Sequence, residues 1–226
     1  MRLTFSAALL ALTVCVAQAR ADEYSIAELK EPAPADAVSP EVAKTLAKTG
    51  FRVSLGEKTI CDLWLRGEWP GRTGFKPSAS VLYPFSQGDL IGVARYHAGK
   101  KHTDFRQQRI RSGAYTLRYG LQPEDGNHVG TSDTRDFLMV IKADDDKTTK
   151  APDQKSLFEK SSAAVGSDHP CMLSMTQTSA SPKDVLSIHH EEDEDWWIVR
   201  VPGLVRKGEK KQPLSVEFVI VGFGEE

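Results

Sequence analysis

Two neighbouring runs near the middle of the chain restrict the fold more than any other feature. Ala114–Gln122 puts Tyr115, Leu117, Tyr119 and Leu121 on one face and Thr116, Arg118, Gly120 and Gln122 on the other. Period-two alternation with aromatic and Thr content marks a half-buried strand. A slip of one residue would carry Arg118 unpaired into the core, at a cost of several kcal/mol, so the register is strongly specified. This reading leaves Thr116 on the exposed face. The second run, Asp136–Lys142, holds Phe137-Leu138-Met139-Val140-Ile141 and is apolar on both faces, as a strand covered on both sides would be. A β-sheet with this pair at its centre is the expectation.

Strand signals continue on either side. Phe51–Leu55 and Lys58–Arg66 flank Gly56-Glu57 and predict a hairpin. Ser80–Tyr83, Leu90–His97, Cys171–Met175, Asp184–His190, Asp195–Pro202 and Leu214–Gly222 read as further strands. Ser39-Pro40 offers an N-cap and a first-turn proline for a short helix ending before Gly50. Asp153–Ala164 predicts a second helix with Leu157 and Phe158 inward, stopped by Gly166. Residues 143–152, ADDDKTTKAP, read as a charged, mobile connection, with Asp144–Asp146 solvated. About ten short strands with two short helices, and no 20–50-residue repeat, predict an all-β fold: a two-sheet antiparallel β-sandwich, with a jelly-roll-like arrangement as the alternative.

The first 21 residues read as a secretory signal peptide. Arg2 precedes the apolar stretch from Ala7 to Val16, and Ala19-Arg20-Ala21 fits a small-x-small cleavage site. Cleavage before Asp22 predicts a periplasmic or extracellular protein; lipidation at Cys15 is the alternative. Residues 22–50 are then a linker and short helix, and 51–226 the β-sandwich domain. No second apolar run reaches transmembrane length. The leader carries two of the 29 basic residues and no acid, so the rest has a net charge of −4. With no basic cluster, a nucleic-acid partner is not expected. Cys61 and Cys171 remain as an even pair in an exported chain, and a disulfide between them is the expectation. Closing a loop of about 110 residues would contribute roughly 4–5 kcal/mol. Two buried free thiols are the alternative.

Tyr83-Pro84-Phe85 followed by Gly88-Asp89-Leu90-Ile91-Gly92-Val93, then Gly113-Ala114-Tyr115-Thr116-Leu117-Arg118-Tyr119, resembles a family of exported bacterial β-sandwich proteins of unassigned function. Asp168-His169-Pro170 and Trp196-Trp197-Ile198-Val199 resemble that family's C-terminal half, so the similarity runs over about residues 51–226. The resemblance implies a fold and an export route, and no activity.

Chemistry-bearing residues gather in predicted loops, where a sandwich usually builds its sites. His97, His102, His128 and His169, the last three with acids nearby in sequence, are the candidate ligands for a divalent metal ion such as zinc, copper or calcium. The loop from Glu124 to Asp136 has oxygen donors suited to calcium but lacks EF-hand spacing. No His-Glu-x-x-His, Cys-x-x-Cys or Gly-x-Ser-x-Gly occurs. Trp64, Trp69, Trp196 and Trp197 fit core or edge packing, or sugar stacking. Two functional expectations follow. One is a non-enzymatic module that binds a small ligand or another exported protein. The other is a metal-dependent enzyme or metal-binding protein that uses the loop histidines and acids.

Overall fold

The computed structural model describes residues 23–99, 101–124, 132–177 and 185–224; the expected leader, with Cys15, and His128 lie outside them. In chain order the strands are β1 (Tyr24–Leu29), β2 (Gly50–Leu55), β3 (Lys58–Leu65), β4 (Trp69–Pro70), β5 (Leu90–Tyr96), β6 (His102–Thr103), β7 (Arg109–Ile110), β8 (Gly113–Leu121), β9 (Asp136–Lys142), β10 (Met172–Ser174), β11 (Ser187–Glu191), β12 (Trp196–Lys207) and β13 (Lys210–Val221). Helix α1 (Pro40–Ala43) follows β1, and α2 (Gln154–Val165) lies between β9 and β10.

The larger sheet has the order β1-β2-β3-β5-β8-β9-β10, antiparallel throughout. The smaller has β11-β12-β13 antiparallel, with β4 beside β12 in parallel. β6 and β7 form a separate small hairpin. The sheets meet along both margins. Past β10, Met175 bridges Phe218 of β13, and Thr176 N donates to Glu217 O at 3.1 Å. On the far side the Tyr24 ring of β1 lies 5.0 Å from the Trp197 ring of β12. The expected all-β, sandwich-like fold is what the chain forms.

Between the sheets lies one core that includes Val53, Leu63, Tyr115, Leu117, Tyr119, Val140, Val199 and Phe218. The row predicted for β8 holds: Tyr115, Leu117 and Tyr119 are buried here, and Leu121 packs at its margin. β9 is buried on both faces, as expected; its Phe137, Met139 and Ile141 form a second cluster with Phe105, Trp196 and Leu157 of α2. Asp153 caps α2 by accepting from Ser156 N at 3.0 Å, and Gly166 ends it at φ 71. Ser39 caps α1 from Val42 N at 3.2 Å; the helix is one turn, shorter than the sequence suggested.

The structure corrects four expectations. The stretch expected to be linker and short helix, residues 22–50, also holds a strand, because β1 pairs with β2 over six residues. Ser80–Tyr83 is not a strand. The amides of Leu82 and Tyr83 donate instead to the Asp136 carboxylate, at 2.8 and 3.2 Å, which satisfies them without a ladder. The opposite face of β8 is not exposed: Thr116 and Arg118 are fully buried. The segment that covers them is the supposed solvated connection. It forms a short 3-10 turn, Ala143–Asp145, and buries Asp146 against Arg118.

The fourth correction is the disulfide. Cys61 and Cys171 are free and fully buried. Cys61 sits on β3 and Cys171 just before β10, with β5, β8 and β9 between them in the sheet order. Strands are spaced about 4.8 Å apart, so these are not sheet neighbours within the ~4.4–6.8 Å Cα separation that a disulfide needs. Each thiol has its own setting. Cys61 lies opposite Tyr96, and Cys171 lies beside Asp104.

Candidate functional site

One end of the molecule gathers histidines. β5 ends at Tyr96, so His97 leaves the sheet there, and its Nε2 meets Asp62 Oδ2 at 2.8 Å. Asp62 also takes Arg52 in a bidentate pair at 2.7 and 2.9 Å. Burial works to raise the Asp62 carboxyl, but the bonds from Arg52 and His97 prevail and hold it below the ordinary range. His102 is buried on β6, with Nε2 on the His97 carbonyl at 3.0 Å and its ring 5.2 Å from that of Tyr96. Gln108 Nε2 bonds the Pro170 carbonyl at 3.0 Å, which brings the exposed His169 to the same end. Tyr24, Ile60, His102, Thr103 and Ile220 line a small hollow here of about 50 Å³.

These histidines do not converge. Among the described residues no group of three or more His, Cys, Asp or Glu side chains is placed to hold a metal ion. His128 lies outside the described residues; the strand ends flanking its loop, Leu121 and Asp136, pair at the opposite end of β8 from Gly113 and Tyr96.

The acids within the fold are engaged by the chain itself. Asp104 accepts from the amides of Arg106, Gln108 and Met172 and from Gln108 Nε2; burial outweighs those bonds and raises its carboxyl. Asp136 accepts the Tyr119 hydroxyl at 2.6 Å and is raised, chiefly by burial. Glu217 of β13 pairs with Arg200 of β12 at 3.1 Å, both buried. The tryptophans are packing groups. Trp64 and Trp69 are buried, with indole N–H on the carbonyls of Glu31 and Ile91. Trp196 is buried, and Trp197 stacks on His190 at 4.7 Å.

The other end carries a feature the sequence reading missed. β11 accompanies β12 only as far as Arg200, opposite Ser187. From Val201 to Lys207, β12 continues with β13 as a two-stranded arm, on the order of 20 Å long at strand rise. Gly208 takes φ 62 at the tip, as the first residue of a tight two-residue turn with Glu209. β4 pairs with the arm's edge, Val205 opposite Trp69 and Arg206 opposite Pro70, and the arm's inner face joins the inter-sheet core through Val201, Val205 and Val216. The Trp69 ring lies so close over Gly203 that a methyl there would come within 2.5 Å of it.

Arg206, Lys207, Lys210 and Lys211 crowd the tip. Arg206 and Lys211 share Glu68, with Lys211 Nζ at 2.7 Å, and the pair pulls the Glu68 carboxyl down to about 2. Lys207 and Lys210 make no ion pair among the described residues. The loop after β4 runs alongside. Gly71 N donates to Arg206 O at 2.8 Å, and Arg72 lies 4.6 Å over the Phe75 ring. The legible signal was the basic run Arg206-Lys207-Gly208-Glu209-Lys210-Lys211, split by a Gly-Glu turn like Gly56-Glu57.

Comparisons of this chain with protein-family models, with curated proteins and with solved structures found no match. Among the described residues no helix is long and apolar enough to cross a membrane.

Proposed function

We propose that this chain is an exported, non-enzymatic β-sandwich module that binds another exported component through the β12–β13 arm. The observation that carries the reading is the arm itself. It outruns β11 after Arg200 and puts Lys207 and Lys210 at its end, where neither makes an ion pair among the described residues. The inner face of the arm joins the core through Val201, Val205 and Val216, but the tip beyond Val205 adds no core residue and is exposed or half-buried, so the tip is better explained by contact with something else. Export rests on the leader-like first 21 residues and on the resemblance to exported β-sandwich proteins. A photo-crosslinking residue at Lys210, introduced in the cell that makes the protein, tests the reading against the same residue at Lys155 on α2. Discrete adducts from the tip alone are expected; equal or absent adducts at both positions count against it.

A metal-dependent enzyme is the second reading, favoured by His97, His102 and His169 sharing one end. Elemental analysis of protein purified without a metal-affinity tag separates the two. About one equivalent of zinc, copper or calcium supports the metal reading; none supports the module.

A further inference from the structure

We infer that the arm and the loop beside it dock on a bilayer surface rich in anionic phospholipid. The inference rests on the arm being a binding element and names the chemistry that it meets. Two tips lie side by side: a methyl on Gly208 would stand 4.0 Å from the Thr73 hydroxyl. Together they present Arg72, Lys76, Arg206, Lys207, Lys210 and Lys211, countered by Glu68 and Glu209. The whole chain has a net charge of −2, so this end is a local reversal of sign.

Apolar groups accompany the cations. Leu204 is 40% exposed on the arm, and Phe75 is half-buried under the Arg72 guanidinium. A basic surface with apolar side chains set among the charges suits an interface where headgroups meet acyl chains.

The far end of β12 strengthens the argument. Glu191–Asp195, five acids in succession, run from the last residue of β11 through the turn up to β12, while the basic tip closes the other end of β12. The charges are thus separated along the axis of one hairpin, and a negative plane would attract the tip while repelling the acidic turn. Each basic side chain at an anionic surface strengthens partition about fivefold.

Vesicle flotation tests the inference, using the full chain with phosphatidylcholine alone and with mixed phosphatidylglycerol and phosphatidylcholine. At low salt the protein should float only with the mixed vesicles, and high salt should release it. Lys207→Glu with Lys210→Glu should lower partition by roughly tenfold or more, Leu204→Ser should weaken it less, and Lys155→Glu should leave it unchanged. Circular dichroism confirms that the variants keep the β spectrum. Equal flotation with both vesicles, no flotation, or flotation that survives the double reversal overturns the inference. If flotation fails while the crosslinker at Lys210 captures a discrete protein, the bilayer is excluded and the binding arm stands. If both fail, the arm reading falls as well.

Discussion

Arg118 Nε and Nη2 reach the two carboxylate oxygens of Asp146 at 2.6 and 2.9 Å, with the arginine wholly buried and the aspartate nearly so. The remaining guanidinium bonds go to the carbonyls of Gly88 and Thr148, each at 2.6 Å, and the Thr116 hydroxyl donates to Asp146 at 2.5 Å. This network pins the segment after β9 across the outer face of β8.

Removing one partner strands a buried charge. Asp146→Ala is therefore expected to cost about 3–5 kcal/mol, and Arg118→Met combined with Asp146→Leu to recover much of it. Thr116→Ala should cost about 1–3 kcal/mol through the lost bond to a buried carboxylate, more than an exposed strand position would. Leu117→Ala, from the core row of the same strand, should cost about 2–5 kcal/mol. Denaturant midpoints measure all four; a Thr116→Ala protein as stable as the parent would contradict the burial of that face.

Tyr83 joins the two sheets through one atom. Its hydroxyl donates to Thr176 O at 2.7 Å and accepts from Glu217 N at 2.9 Å. Tyr83→Phe leaves both backbone groups without that partner, and a loss of about 1–3 kcal/mol is expected. Faster hydrogen exchange at the Glu217 amide would locate the damage at the seam; unchanged exchange there would show that the hydroxyl does not hold it.

How much was legible follows from which residues speak locally. The strands with one buried face announced themselves by alternation, and α2 by its Leu157 and Phe158 and its Gly166 stop. Asp146 could not be read, because whether a charge is buried depends on a partner 28 residues away in sequence. Leu82 and Tyr83 look like strand residues, and only the position of Asp136 shows that a carboxylate takes their amides. The arm was read as ending at Pro202. Its inner row is Val201, Gly203 and Val205, so a glycine interrupts the alternation, and Gly203, Gly208 and the lysines resemble a connection. At the histidine end, the nearness of His97 to His102 was visible in the sequence, whereas the bonds that engage their nitrogens were not.

The thiols give a prediction opposite to the sequence expectation. Burial raises the pKa of both Cys61 and Cys171; nearby Asp62 adds to the shift at Cys61 and Asp104 to that at Cys171. Such groups hold little thiolate and react slowly. In the native protein Cys61 and Cys171 should resist a disulfide exchange reagent, and both should react once denaturant unfolds the chain. Reducing agent should leave the melting temperature unchanged. A drop in melting temperature on reduction would restore the disulfide.

His189, on β11, sets the acid response of the smaller sheet. Both ring nitrogens are buried, and neither has a hydrogen-bond partner among the described residues. Burial lowers its pKa from the ordinary 6.5, helped by Arg200 of β12 and opposed by Glu217 of β13 and Glu191 of β11. The neutral ring is therefore the form the fold accepts. Above pH 6.5 the ring is mostly neutral in folded and unfolded chains alike, and it adds no pH dependence. As pH falls below 6.5 the unfolded chain takes up the proton first, so stability declines until the folded pKa is passed, with a slope of at most about 1.4 kcal/mol per pH unit. His189→Phe should remove this contribution, so the difference in unfolding free energy between variant and parent should grow in the variant's favour between pH 7 and 5.5. A difference that stays constant across that window would mean that the ring is solvated or already paired in solution.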